Sequence, residues 1–107
     1  MNYFVNITDL AEEDILSTTK YISNDLKNPI AANSLLDEIE KHEKLLEKNP
    51  YTHPLVRDDY LSEKGLRIMV IKNYIMLYVI DDENNSVNVI RFLYGRRDWK
   101  NILSENV

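Results

Sequence analysis

Tyr3, Val5 and Ile7 alternate with Asn2, Phe4 and Asn6, the period-two pattern of a short strand with one buried face. Thr8 then reads as a helix cap. Asp9, Glu12, Glu13 and Asp14 follow where a helix dipole favours acids. Ala11, Ile15, Thr18, Ile22 and Leu26 recur at helical spacing, which predicts a first helix over residues 9–26. Asn28-Pro29 opens a second helix, because asparagine caps free amides and proline loses nothing at the first helical position. Its stripe of Ala32, Leu35, Leu36, Ile39, Leu45 and Leu46 runs to Lys48. Glu38, Glu40, Lys41, Lys44 and Glu47 form the solvated face, and Asn49-Pro50 ends the helix.

Residues 49–65 carry Pro50, Pro54 and Gly65 with no clear period and read as a long ordered surface loop. From Leu66 the chain turns β-branched and aromatic. Strands are predicted at 66–71, 74–80 and 86–94, joined by a Lys72-Asn73 turn and an acidic turn at 81–85. Tyr74 to Ile80 is apolar on both faces and so belongs in the middle of the sheet. After Gly95, residues 96–103 predict a short last helix with Trp99, Ile102 and Leu103 buried. The order is β-α-α-β-β-β-α. It describes a single α+β domain over residues 1–107, with an N-terminal strand, an antiparallel helical hairpin packed on a small, mostly antiparallel sheet, and a short C-terminal helix. The sheet's second face is left as a working surface or a docking place.

Composition removes whole classes of chemistry. There is no cysteine, so disulfides, thiolate metal sites and thiol nucleophiles are excluded. Gly65 and Gly95 are the only glycines, too few for a glycine-rich phosphate loop. His42 and His53 fall on different elements without a ligand pattern, so neither a metal nor a cofactor is expected. No signal-peptide pattern or membrane-length apolar run occurs; together with the missing cysteines this points to the cytoplasm. Glu12-Glu13-Asp14 and Asp81-Asp82-Glu83 lack calcium-loop spacing and read as a helix start and a solvated turn. Met69 and Met76 read as core.

The net charge of -5 is unevenly spread. Residues 1–60 hold 12 acids and 6 bases, whereas residues 61–107 hold 6 acids and 7 bases. The densest cationic stretch contains Arg91, Arg96, Arg97 and Lys100. By strand alternation Val87, Val89, Arg91 and Leu93 share one face, with Asn88, Ile90, Phe92 and Tyr94 on the other. Arg91 interrupts an apolar face, and Arg67 does the same beside Met69 and Ile71. Such an arginine snorkels outward, pairs with an acid or holds an anion. For Arg91 the alternatives are a carboxylate from the helices or an open site for an RNA phosphate or acidic partner, with Tyr94 able to exchange a proton nearby.

The chain resembles the RelE/ParE superfamily of type II toxin-antitoxin toxins. The resemblance is carried by Asp14-Ile15, Ala31-Ala32, Asn49-Pro50, Gly65-Leu66-Arg67, Lys72-Asn73-Tyr74 and above all the run from Val87 to Trp99. It implies a small bacterial toxin of the plasmid-stabilisation type, held inactive in a hetero-oligomer by a cognate antitoxin. RelE-like members cleave messenger RNA on the ribosome, while ParE-like members poison DNA gyrase. Arg67 matches the family's strand-two arginine, Arg91, Arg96 and Arg97 its late basic cluster, and Tyr94 stands where many relatives have histidine.

A ribonuclease would use Arg67, Arg91, Tyr94 and Arg96; antitoxin or target contacts would fall on Arg91, Arg96, Arg97, Trp99 and Lys100. The acidic net charge, the missing late histidine, the absent lysine cluster before strand two and the Gly95-Arg96-Arg97-Asp98 segment favour the gyrase branch slightly. Ribosome-dependent messenger RNA cleavage is the alternative, and a non-toxic protein-binding module is the third reading. An antitoxin segment disordered on its own would fold over exposed apolar surface, with acids against Arg91, Arg96 or Arg97.

Overall fold

The computed structural model describes residues 2–98 and 101–103. Strand β1 (Phe4–Ile7) leads into helix α1 (Asp9–Lys20), which continues as a wider π-helical turn over Tyr21–Asp25. Helix α2 spans Pro29–Lys48, a single 3-10 turn covers Pro50–Thr52, and a short helix α3 follows at Asp59–Glu63. Strands β2 (Arg67–Ile71), β3 (Tyr74–Asp81) and β4 (Ser86–Tyr94) complete a sheet of order β1-β4-β3-β2. Among the described strands only β1 and β4 pair in parallel.

Local chemistry explains the boundaries. The Thr8 hydroxyl accepts the Ala11 N–H at 3.3 Å and donates to the Val89 carbonyl at 2.8 Å, so one side chain caps α1 and ties it to β4. Asn28 accepts the Ala31 N–H at 3.1 Å, and Pro29 is the first residue of α2. The first helix is α-helical only to Lys20; the chain then closes through Leu26 N–H to Tyr21 C=O and a left-handed Lys27 with φ 53°. Leu26, expected on the buried stripe, is therefore exposed, as are Leu36 and Leu45 on α2. Ala32, Leu35, Ile39 and Leu46 carry the burial of that helix instead.

The sheet's first face packs Met69, Ile71, Met76, Tyr78, Val87, Val89 and Phe92 against α1 and α2. Its second face is a core as well, where Val56, Leu61, Leu66 and Leu103 cover Ile75, Leu77 and Leu93. That overturns the expectation of an open working surface there. The cover comes from the segment read as a loop, in which Asp58 accepts the Leu61 N–H at 3.0 Å and starts α3. Five residues are too few to display a helical period.

Strand β4 is not regular. Leu77 pairs with Arg91 but Tyr78 with Val89, so Ile90 is an extra, bulged residue. The alternation inverts beyond it: Phe92 joins Val87 and Val89 in the helix-facing core, while Leu93 joins Ile75 and Leu77. The expected face shared by Val87, Val89, Arg91 and Leu93 is thus corrected by one inserted residue. Arg96 and Arg97 lie in a turn after β4 rather than in a last helix, and Asn101–Leu103 are helical. Trp99 and Lys100, expected in that helix, lie outside the described residues.

Candidate functional site

Arg91 emerges where β1 has ended, since β1 pairs only with residues 86–89 of β4. Beyond that point α1 lies along the strand edge and Asp14 completes its hydrogen bonding. The Asp14 carboxylate accepts Arg91 Nε at 2.8 Å, Arg91 Nη2 at 3.0 Å and the Phe92 N–H at 3.0 Å. The two side chains are 12% and 14% exposed. The hydrogen bonds it donates to Asp14 raise the Arg91 guanidinium's pKa above its ordinary value. Of the two readings open for Arg91, the structure shows the carboxylate pair.

Arg67 is also engaged. Its Nη1 donates to the His53 carbonyl at 2.6 Å, and its guanidinium lies 4.9 Å from the centre of the Tyr51 ring. The segment above it is strapped down elsewhere too. The buried Tyr78 hydroxyl donates to Pro50 C=O at 2.6 Å, Ile68 N–H donates to Pro54 C=O, and Val56 N–H to Leu66 C=O. Burial pushes the Tyr78 phenol up to about 12. At the strap's outer end Asp82 accepts hydrogen bonds from the hydroxyls of Tyr51 and Tyr3. The Tyr51 and Tyr3 bonds hold Asp82 below the ordinary carboxylate range, and the same bonds raise both phenols.

Tyr94 sits apart from both arginines, at the open end of β4. The residue is 39% exposed and its ring meets Tyr74 edge to face at 5.7 Å, while Tyr74 stacks on Phe92 at 5.2 Å. Ser17, Thr18, Tyr21, Leu26, Tyr74 and Tyr94 line a groove of about 520 Å³. Burial, then the neighbouring Tyr94 and Tyr21, raise the Tyr74 phenol. Gly95 follows, its N–H bonded to Asn73 C=O at 2.8 Å; a Cβ there would stand 3.1 Å from that oxygen. Arg97 N–H closes the turn onto Tyr94 C=O at 3.0 Å, and among the described residues neither Arg96 nor Arg97 forms an ion pair.

The described candidate residues therefore divide into three places: Arg91 of β4 paired to α1, Arg67 under the strap, and Tyr94 with Arg96 and Arg97 at the strand end. A second groove, of about 460 Å³, runs between α1 and α2, where Ile7, Ile15, Leu36 and Ile39 are flanked by Glu12, Glu40 and Glu43. Desolvation, then Glu40 and Glu47, raise the Glu43 carboxyl. His42 Nδ1 lies 2.7 Å from the Glu38 carbonyl, which makes it the protonated ring nitrogen. Desolvation lowers His53, with His42 adding to the effect. Among the described residues no three metal-ligating side chains cluster, and no helix is long and apolar enough to cross a membrane.

The sequence reading missed Asp82, Tyr3, Tyr51 and Tyr78 as a connected strap and Tyr21 and Tyr74 as groove walls. One signal pointed to them: seven tyrosines against two phenylalanines, an excess that suggests the hydroxyls are used.

A family model described as the ParE toxin of type II toxin-antitoxin systems matches residues 5–99. No curated protein matches the chain. Among solved structures the fold is similar to one from a chromosomal ParDE system of P. aeruginosa, with TM-score 0.69 and 14% identity over 86% of this chain and 95% of that one. It is similar to one from the RelBE2 toxin-antitoxin complex of Mycobacterium tuberculosis, with TM-score 0.61 and 20% identity over 88% and 99%. A third is from an archaeal RelE-RelB complex of Pyrococcus horikoshii, with TM-score 0.59 and 13% identity over 91% and 99%.

Proposed function

The chain belongs to the ParE toxin family of type II toxin-antitoxin systems, and on that premise we propose that it acts in the cytoplasm as a single toxin domain that inhibits DNA gyrase. One observation supports the gyrase branch over RNA cleavage. Arg67 and Arg91, two of the cations a ribonuclease would aim at a phosphate, are engaged by His53, Tyr51 and Asp14. A transition-state anion needs donors that are free and aimed at it beforehand.

Neutralisation falls to a cognate antitoxin. The exposed Leu16 and Leu36 and the carboxylates of Glu12, Glu40 and Glu43 make the α1–α2 groove a seat for an amphipathic helix bearing basic residues. This reverses, for that surface, the charge expected of the partner from Arg91, Arg96 and Arg97.

The ribosomal reading keeps one favourable observation: Tyr94 is accessible and followed by Arg96 and Arg97, which form no ion pair among the described residues. Inducing the toxin in cells without an antitoxin, and following DNA synthesis and translation separately over the first minutes, decides between them. DNA synthesis is expected to fall first, with supercoiling by purified gyrase blocked. An earlier fall in translation, with messenger RNA cut only when ribosomes are present, would move the function to Tyr94. Unimpaired growth would leave a protein-binding module.

A further inference from the structure

We infer that the groove walled by Tyr21, Tyr74 and Tyr94 is a docking slot for an extended, proline-containing peptide segment whose acidic residues lie against Arg96 and Arg97. Three features converge on that chemistry. The first is the shape of the aromatic wall. The Tyr74 and Tyr94 rings stand at 68° to one another with centroids 5.7 Å apart, and Tyr74 is backed by Phe92 at 5.2 Å and 17°. Two rings at a steep angle form a corner rather than a parallel slot. A corner accepts a ridge such as a pyrrolidine ring, whereas a planar base needs an open face or two parallel ones.

The second feature is the supply of donors. Among the described residues the hydroxyls of Tyr21, Tyr74, Tyr94 and Ser17 have no hydrogen-bond partner, although all four line the same groove of about 520 Å³. A polyproline II segment makes no internal hydrogen bonds, so its carbonyls point outward and need donors. Phenols that offer an apolar face and an O–H together satisfy both halves of such a chain.

The third feature is charge. Among the described residues no acid lines the groove. Arg96 and Arg97 follow Tyr94 directly through Gly95, and the Arg97 N–H to Tyr94 C=O bond at 3.0 Å holds them within one turn of it. In a chain of net charge -5, two adjacent arginines without an ion pair among the described residues select an acidic neighbour. The slot is separate from the acidic α1–α2 groove, and its assignment does not depend on which target the toxin reaches.

The test titrates the full chain, followed by nuclear magnetic resonance and tyrosine fluorescence, with an end-blocked peptide carrying a Pro-Pro-Leu-Pro core and three following acids. Saturable binding is expected, with shifts at Tyr21, Tyr74 and Tyr94. Tyr94→Phe, which removes one donor and keeps the ring, is expected to weaken binding about fivefold. Tyr21→Ala weakens it further, and the Arg96→Ala/Arg97→Ala double variant abolishes its salt dependence. Tyr60→Ala, an exposed tyrosine of α3 remote in sequence from the slot, leaves affinity unchanged. Equal binding of a peptide with alanine for every proline would overturn the proposal. So would decathymidylate or decauridylate occupying the slot in preference to the peptide, or shifts at these tyrosines that follow self-association instead of added peptide.

Discussion

Removing the Asp14 carboxylate separates a structural from a functional Arg91. Asp14→Ala leaves a guanidinium only 12% exposed without its counter-charge, and strips the Phe92 N–H of its acceptor. Breaking one partner of a largely buried pair costs about 3–5 kcal/mol, a large part of the roughly 5–15 kcal/mol available to a domain of this size. Urea unfolding of the variant is expected to show a lower midpoint at unchanged slope, with a Tm drop on the order of 15 °C.

Arg91→Ala should cost a similar amount, because it strands the Asp14 carboxylate. The double variant Asp14→Leu/Arg91→Leu should recover most of the loss. About 1–3 kcal/mol would remain for the unpaired Phe92 N–H, and the cycle would report the coupling directly. Toxicity in all three should track the folded fraction. If Asp14→Ala were within 1 kcal/mol of the parent, or Arg91→Ala abolished toxicity at unchanged stability, the assignment of Arg91 to the fold would be wrong.

Three further outcomes follow from the strap and the groove. Tyr78→Phe removes the 2.6 Å bond to Pro50 C=O and should cost about 1–2 kcal/mol; hydrogen exchange should speed up at Val56 and Ile68, whose amides tie the strap to β2. Asp82 has a depressed pKa in the folded state, so its contribution is complete above the unfolded carboxylate value and is lost as pH falls through the folded one. An NMR titration should show Tyr3 and Tyr51 released together on acidification, and released at neutral pH in Asp82→Ala. Glu43 is shifted the opposite way, which makes its ionisation a burden that grows as pH rises through its folded pKa. Glu43→Gln should therefore raise the urea midpoint at pH 7, and less so near pH 4.

The helical hairpin was legible because its signals are local. Thr8 and Asn28 cap the helices as their residue types require, and strand boundaries fall where Lys72-Asn73 and the acidic turn predict them. What escaped is set by contacts distant in sequence. Nothing around Ile90 announces a bulge, yet that one residue moves Phe92 and Leu93 to opposite faces from those expected. Asp82 looked like a solvated turn residue because its partners, Tyr3 and Tyr51, lie 79 and 31 positions away. Arg67 stands out in the sequence as an arginine beside Met69 and Ile71. Its partners could not be read because one is the backbone carbonyl of His53, which every residue possesses.

The parallel pairing of β1 with β4 sets a timetable for the newborn chain. Asn6 lies opposite Asn88, 82 positions later, so at about 5–20 residues per second the first strand waits roughly 4–16 s for its partner to be synthesised. Until β4 is made, the sheet lacks the strand that joins β1 to β3. An abandoned or proteolysed fragment ending before β4 is therefore an incomplete sheet rather than a small toxin. A complete toxin fold, on this topology, arrives only once β4 has been made, when any antitoxin already made nearby can meet a toxin that has only just acquired its shape.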